Sequence, residues 1–239
     1  MVPFFSISSP PSPSPPQPLV LQNHSRLLFR LSTLPPPRTL TPRLHQSPRA
    51  TAAPEAGAVE KEKESGVAES VGVLKAAAKT RKVPAAEVLS ALAVIKKSRV
   101  DPSSFFETLG GSESPGRTWM LIFTAKGRLE KGQYFPVTAV QRFDAAANRI
   151  ENGIYLGPIG CLTFEGRLSW KNRILAFIFE CIRIKVGPFG PLQIGLKAED
   201  REPSNKDPFF VWFYVDEELA VAQGRGGGIA FWCRCRLVT

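Results

Sequence analysis

From residue 119 to the C-terminus this chain reads as one strand after another, with no helical pattern between them. Residues 119–124, 137–143, 150–156, 161–170, 173–185, 209–215 and 229–237 are apolar or alternating runs separated by turn residues. In 161–170, Leu162, Phe164, Leu168 and Trp170 share one face, while Thr163, Glu165, Arg167 and Ser169 share the other. Asp144-Ala145-Ala146-Ala147-Asn148-Arg149 and Lys171-Asn172 read as turns, and Gly224-Arg225-Gly226-Gly227-Gly228 as a hairpin turn needing positive φ. Parallel strands need long crossovers, usually helical. Hairpin spacing therefore predicts a mainly β, antiparallel meander of roughly seven to nine strands, most economically closed as a barrel because closure removes exposed edges.

The strands hold most of the aromatic residues. Small barrels either fill their interior with side chains or hold one apolar ligand. Trp119, Phe123, Phe164, Phe177, Trp212, Tyr214 and Phe231 are the candidate lining. The run Phe209-Phe210-Val211-Trp212-Phe213-Tyr214 is apolar on both faces, so one face meets the interior and the other meets helices, a partner or lipid.

Helical signals precede the strands, over 67–111, to be read as a cap before a barrel domain over 112–239. Residues 67–82 are Ala-rich, and Pro84 suits a first helical position. Val88, Leu92 and Ile95 then form a stripe, with Lys96, Lys97 and Arg99 near the end. This basic amphipathic helix can pack on the domain or touch a membrane surface. Asp101-Pro102 is expected to cap a short helix through Phe105 and Phe106, which Gly110-Gly111 stops. Residues 55–66, with Glu60-Lys61-Glu62-Lys63-Glu64, read as a solvated linker.

The first fifty-four residues contain no Asp or Glu, five arginines and many Ser and Pro. Acid-poor, Arg- and Ser-rich composition is that of an organelle transit peptide. The Ser/Pro run over 6–18 opposes the amphipathic helix of a mitochondrial address, which favours the chloroplast. A disordered basic tail of a cytosolic or nuclear protein is the alternative. Cleavage is expected near Arg49-Ala50-Thr51-Ala52-Ala53. Without the five arginines, 26 basic residues face 21 acidic ones and the balance falls from +10 to +5. That charge is modest and dispersed, which argues against a nucleic-acid partner.

His24 and His45 both fall in the leader, so the remainder offers no histidine for a nucleophile system or a metal. No catalytic residue, metal site or cofactor is assigned. Cys161, Cys181, Cys233 and Cys235 are read as small buried apolar groups; a four-thiolate zinc site and a redox pair are the alternatives. An enzyme could use carboxylates such as Asp216 with Glu217 or Glu165. The Gly-rich turn at 224–228 precedes no helix, so it is no dinucleotide loop. No segment is long and apolar enough to span a membrane, and the protein is expected to be soluble or peripheral.

Three motifs resemble the plastid-lipid-associated protein family, the fibrillins. Trp119-Met120-Leu121-Ile122-Phe123-Thr124 is similar to its opening strand, and Ile150-Glu151-Asn152-Gly153-Ile154 to a second strand. Tyr214-Val215-Asp216-Glu217-Glu218-Leu219, followed by the turn beginning at Gly224, resembles its closing signature. The resemblance covers about residues 116–235. The chain departs from it at Ala220 and Gln223-Gly224, where the family carries arginines, and Arg225 is shifted by two positions. The resemblance implies a lipocalin-like (calycin) barrel and a divergent family member. It further implies a non-enzymatic plastid protein that binds or organises a prenyl quinone, carotenoid or acyl lipid at thylakoids or plastoglobules, with Tyr214, Asp216, Leu219 and Gly224 as the family signature. An assembly or scaffold factor, with a filled barrel and a protein partner, is the competing expectation.

Overall fold

Among the described residues, three helices precede the strands. A computed structural model describes residues 56–236, with side chains from residue 64 onward. The leader expected over 1–54 lies outside the described residues, and those described fall within the unit Ala52–Thr239. Helix α1 (Ala56–Thr80) begins inside the stretch expected to be a linker. The reason is that Ala, Glu and Lys are strong helix formers, and mixed charge does not oppose a helix. Helix α2 (Ala85–Ser98) starts one residue beyond Pro84, which is its N-cap. Arg99, at φ 54°, ends it in the left-handed region, with Lys96 and Lys97 in the last turn. Helix α3 (Phe105–Gly110) is capped differently from expectation: Ser104 is its N-cap. The Asp101 carboxylate instead accepts from the Ser103 N–H (3.2 Å) and hydroxyl (2.7 Å), a local turn that competes with capping.

Ten strands follow: β1 (Arg117–Ala125), β2 (Gly132–Tyr134), β3 (Thr138–Asp144), β4 (Arg149–Tyr155), β5 (Gly160–Lys171), β6 (Ile174–Val186), β7 (Leu192–Gly195), β8 (Phe209–Val215), β9 (Leu219–Gly224) and β10 (Ile229–Cys235). Every pairing is antiparallel, and the fold is mainly β as expected. Sequence reading missed β2, β7 and β9. The pairing runs β1–β3–β4–β5–β6–β8–β9–β10 and returns from β10 to β1, so eight strands close a ring; β2 adds to β1 and β7 to β6. The turns follow local chemistry. Asn148 and Asn172 take φ 52° and 58°, the left-handed region that Asn tolerates. The β5–β6 turn is Asn172-Arg173, one residue later than expected. Gly227, at φ 85°, supplies the positive φ of the β9–β10 turn.

Two buried clusters lie on opposite faces of the sheet. On the outer face, Val71, Leu74 and Ala77 of α1 and Val88, Leu92 and Ile95 of α2 pack against Ile122, Phe123, Phe213, Val221 and Phe231. The amphipathic stripe of α2 is therefore consumed by packing on the domain. The inner cluster joins Trp119, Phe143, Leu168, Leu175, Phe177, Trp212 and Trp232 to Phe105 and Leu109 of α3. Strand β8 feeds both, with Phe210, Trp212 and Val215 inward and Val211, Phe213 and Tyr214 beneath the helices. Register shifts between Leu121 and Phe123 and between Trp212 and Tyr214 are bulges. Each bulge turns two successive residues toward the helices, Ile122 with Phe123 and Phe213 with Tyr214.

Candidate functional site

The two ends of the ring differ. Helix α3 closes one of them. Phe105 and Leu109 are fully buried, the Trp119 indole N–H donates to the Leu109 carbonyl at 2.7 Å, and Phe106 stacks on Trp170 at 5.2 Å between ring centroids. Arg117 donates to the Thr108 carbonyl and pairs with Glu217. At the other end β6 runs past β8, with which it pairs only over Ile174–Ala176, and β3, β4, β5, β6 and β7 continue as an arm. The arm begins at a register shift between Glu165 and Gly166, where Gly166 lies so close to β6 that a Cβ would sit 2.0 Å from the Ile178 carbonyl oxygen.

Residues directly opposite across an antiparallel pair share a face. The register places Gln141, Asn152, Phe164, Ile182 and Ile194 in one row across β3 to β7. Ala139, Ile154, Leu162, Ile184 and Leu192 form the next row on the same face. This face is the outward continuation of the ring interior, and its aliphatic members belong to neither buried cluster. Leu192 keeps 60% of its surface exposed and Ile194 43%. Leu156, Ile159, Val186 and Phe189 stand exposed at the tip, the last at 72%. Residues 182–198 carry Arg183, Lys185 and Lys197 and no acid. The opposite face of the same strands is polar and ion-paired: Arg142 with Glu151, Arg149 and Arg167 with Glu180, and Arg183 with Glu165.

A chain of aromatic rings links the closed end to the arm. Successive centroids along Trp232, Trp212, Phe210, Phe177, Phe179 and Phe164 are separated by 5.4, 5.8, 5.4, 5.2 and 5.4 Å. Four polar atoms on this inner face are buried without a hydrogen-bond partner: Gln141 Oε1, Asn152 Oδ1, Trp212 Nε1 and Trp232 Nε1. Two open clefts of about 910 Å³ each lie outside the ring, beside α2.

The seven residues expected to line one interior divide between the two faces. Trp119, Phe177 and Trp212 lie in the inner cluster, and Phe164 extends it toward the arm through Phe179. Phe123, Tyr214 and Phe231 face the helices instead. The bulges are the cause for Phe123 and Tyr214, and Phe231 follows because it pairs with Phe123 across β1 and β10. Sequence reading missed Trp232, Phe143 and Phe210 within the ring, and the amide pair Gln141 and Asn152. Neighbouring aromatics made the parity of β8 and β10 ambiguous, whereas the amides carried no signal until the register set them side by side.

The signature residues form a turn. Asp216 accepts from the Tyr214 hydroxyl (2.8 Å) and from the N–H groups of Glu218 (2.7 Å) and Leu219 (2.6 Å), so backbone and tyrosine occupy the carboxylate that an arginine could have paired. Burial, then this bond, raises the Tyr214 hydroxyl well above its ordinary value. Leu219 is buried under α1 and α2, and the Gly224 N–H donates to the Gly228 carbonyl at 2.8 Å. Asp216 therefore caps a turn, Glu217 pairs with Arg117 and Arg234, and Glu165 pairs with Arg183 on the outer face; none enters the ring. The four thiols are free. Burial pushes the Cys233 thiol up and that of Cys235 up to about 11, which keeps both protonated and unreactive at neutral pH. Among the described residues no group of three or more His, Cys, Asp or Glu is arranged to hold a metal, and no helix is long and apolar enough to cross a membrane. The chain matches no known family model and no curated protein.

Proposed function

We propose that this is a non-enzymatic plastid protein that binds or organises apolar lipids, with its strand ring acting as a lipocalin-like barrel of the fibrillin type. One observation carries the reading. The inner aromatic face continues out of the ring onto an arm where Ile154, Leu192 and Ile194 are exposed and Leu162, Ile182 and Ile184 are partly so. Exposed apolar surface contiguous over several strands is costly in water and marks a binding surface. Lys185 and Lys197, which flank the exposed apolar residues of the tip, suit a lipid surface with anionic headgroups. The acid-free leader supports a chloroplast address, and a prenyl quinone, carotenoid or acyl lipid has the apolar body that such a face would cover.

The test is lipid extraction with native mass spectrometry on the protein recovered from plastids, with Ile184→Asp as the comparison. Ile184 sits on the exposed face outside both buried clusters, so the variant should fold. A lipid present at stoichiometric amount in the wild type and absent from the variant supports the reading. A lipid-free protein that ignores added plastid lipids sinks it. A second reading is an assembly factor that grips a protein by the same face, favoured by the edge-on and tilted aromatic rings that fill the ring next to α3. Its outcome is a protein, and no lipid, co-purifying with the wild type and lost with Ile184→Asp.

A further inference from the structure

We infer that the arm end of the ring selects apolar molecules by an uncharged, hydrogen-bonding head, of which a hydroxyl is the best match, and that Gln141 and Asn152 read it. The inference rests on the proposed lipid-binding function and adds the chemistry of the ligand's head. Gln141 and Asn152 are directly opposite each other on β3 and β4, both on the inner face. They stand in a row that continues through the apolar Phe164, Ile182 and Ile194 on one side and through Trp119 to Arg234 on the other. A ligand lying along this row would place its body on the apolar side chains and one end against two amides.

The amides are free to do this. Their oxygens are buried and accept no hydrogen bond. A buried acceptor left unpaired costs free energy, and partnering it recovers that cost. Each amide offers both an acceptor and donors, and a half-turn of the terminal group exchanges them. A hydroxyl donates once and accepts as well, so one such head can satisfy an oxygen of one amide and an N–H of the other. Across β3 to β7 the two rows contain no ionisable side chain, and Arg234, which the first row reaches beyond Trp119, is paired with Glu217. The nearby charges, Arg142, Glu151, Glu165 and Arg183, pair with one another on the outer face. An ionised head would enter this site without a counter-charge, which is strongly unfavourable.

The experiment measures binding of three probes of equal chain length to the full chain by quenching of tryptophan fluorescence: 1-hexadecanol, 1-bromohexadecane and palmitate at pH 8. The wild type should bind hexadecanol roughly fivefold to tenfold more tightly than bromohexadecane, the worth of one or two hydrogen bonds, and palmitate least. The double variant Gln141→Met, Asn152→Leu replaces both amides by apolar groups of similar size. It should bind hexadecanol and bromohexadecane within about twofold of each other. Should the double variant fail to fold, Gln141→Met alone should halve or better the preference for the alcohol. Palmitate binding as tightly as hexadecanol overturns the inference, as does a preference for the alcohol that survives both substitutions, since the amides would then hold ordered water only. Equal binding of all three probes defeats the head-reading role and leaves lipid binding standing. Binding of none defeats both.

Discussion

Two tryptophans of equal burial make opposite predictions. Trp119 and Trp212 are both fully buried, but the Trp119 N–H donates to the Leu109 carbonyl while the Trp212 N–H has no partner. Replacement by Phe removes a similar volume at each site. At Trp119 it also strands a buried carbonyl, which costs about 1–3 kcal/mol; at Trp212 it removes an unpaired donor. Urea denaturation should therefore find Trp119→Phe the more destabilising by about 1–2 kcal/mol. An equal loss would mean that the bond to α3 contributes nothing. Tyr155 sets a pH dependence. Burial, then the Glu151 charge, pushes its hydroxyl up to about 12. Tyrosine in the unfolded chain titrates near about 10, so the unfolded state releases the proton first. Stability from neutral Tyr155 is thus complete below about pH 10 and lost as pH rises toward the folded value. Cys235, raised to about 11 by burial, starts the decline lower, from about pH 9. The urea midpoint should be level from about pH 7 to 8, fall above about pH 9, and fall less steeply above about pH 10 in Tyr155→Phe. A slope unaffected by that substitution would place the loss elsewhere.

At the scale of elements, the β5–β6 hairpin depends on one close approach. Gly166 faces Phe179 across a register shift, and a Cβ there would lie 2.0 Å from the Ile178 oxygen, which is backbone and cannot swing aside. Gly166→Ala should cost more than about 2 kcal/mol, whereas Gly226→Ala, with nothing within 4 Å of its Cβ, should stay within about 0.5 kcal/mol. Comparable midpoints for the two would show that the arm can leave the ring without the tight crossing. The same hairpin was the most legible part of the sequence, because alternation is unbroken from Leu162 to Trp170 and an Asn turn closes it. Bulges were the least legible feature. One inserted residue reverses every later side chain on its strand. Ile122 and Phe213 sit inside uniformly apolar runs, where an extra residue leaves no mark on the pattern. Strand β9 went unread for a related reason: Leu219-Ala220-Val221-Ala222 is buried on both faces and shows no alternation.

For the whole molecule, composition and hairpin spacing were enough to give an antiparallel, mainly β fold with helices in front of it. The covering of one outer face by α1 and α2 was expected only as one of several fates for the second apolar face of β8. Its physical cause is now concrete: two bulges widen that face by one large side chain each, Ile122 and Phe213, and two helices are needed to bury the result. What lay beyond sequence was the inequality of the two ends, since it depends on where α3 docks and on how far β6 runs past β8. That inequality gives the inner aromatic face a single open side, since α3 covers it at one end and it runs out along the arm at the other. Under the proposed lipid-binding function, a molecule on that face would leave by the side from which it came.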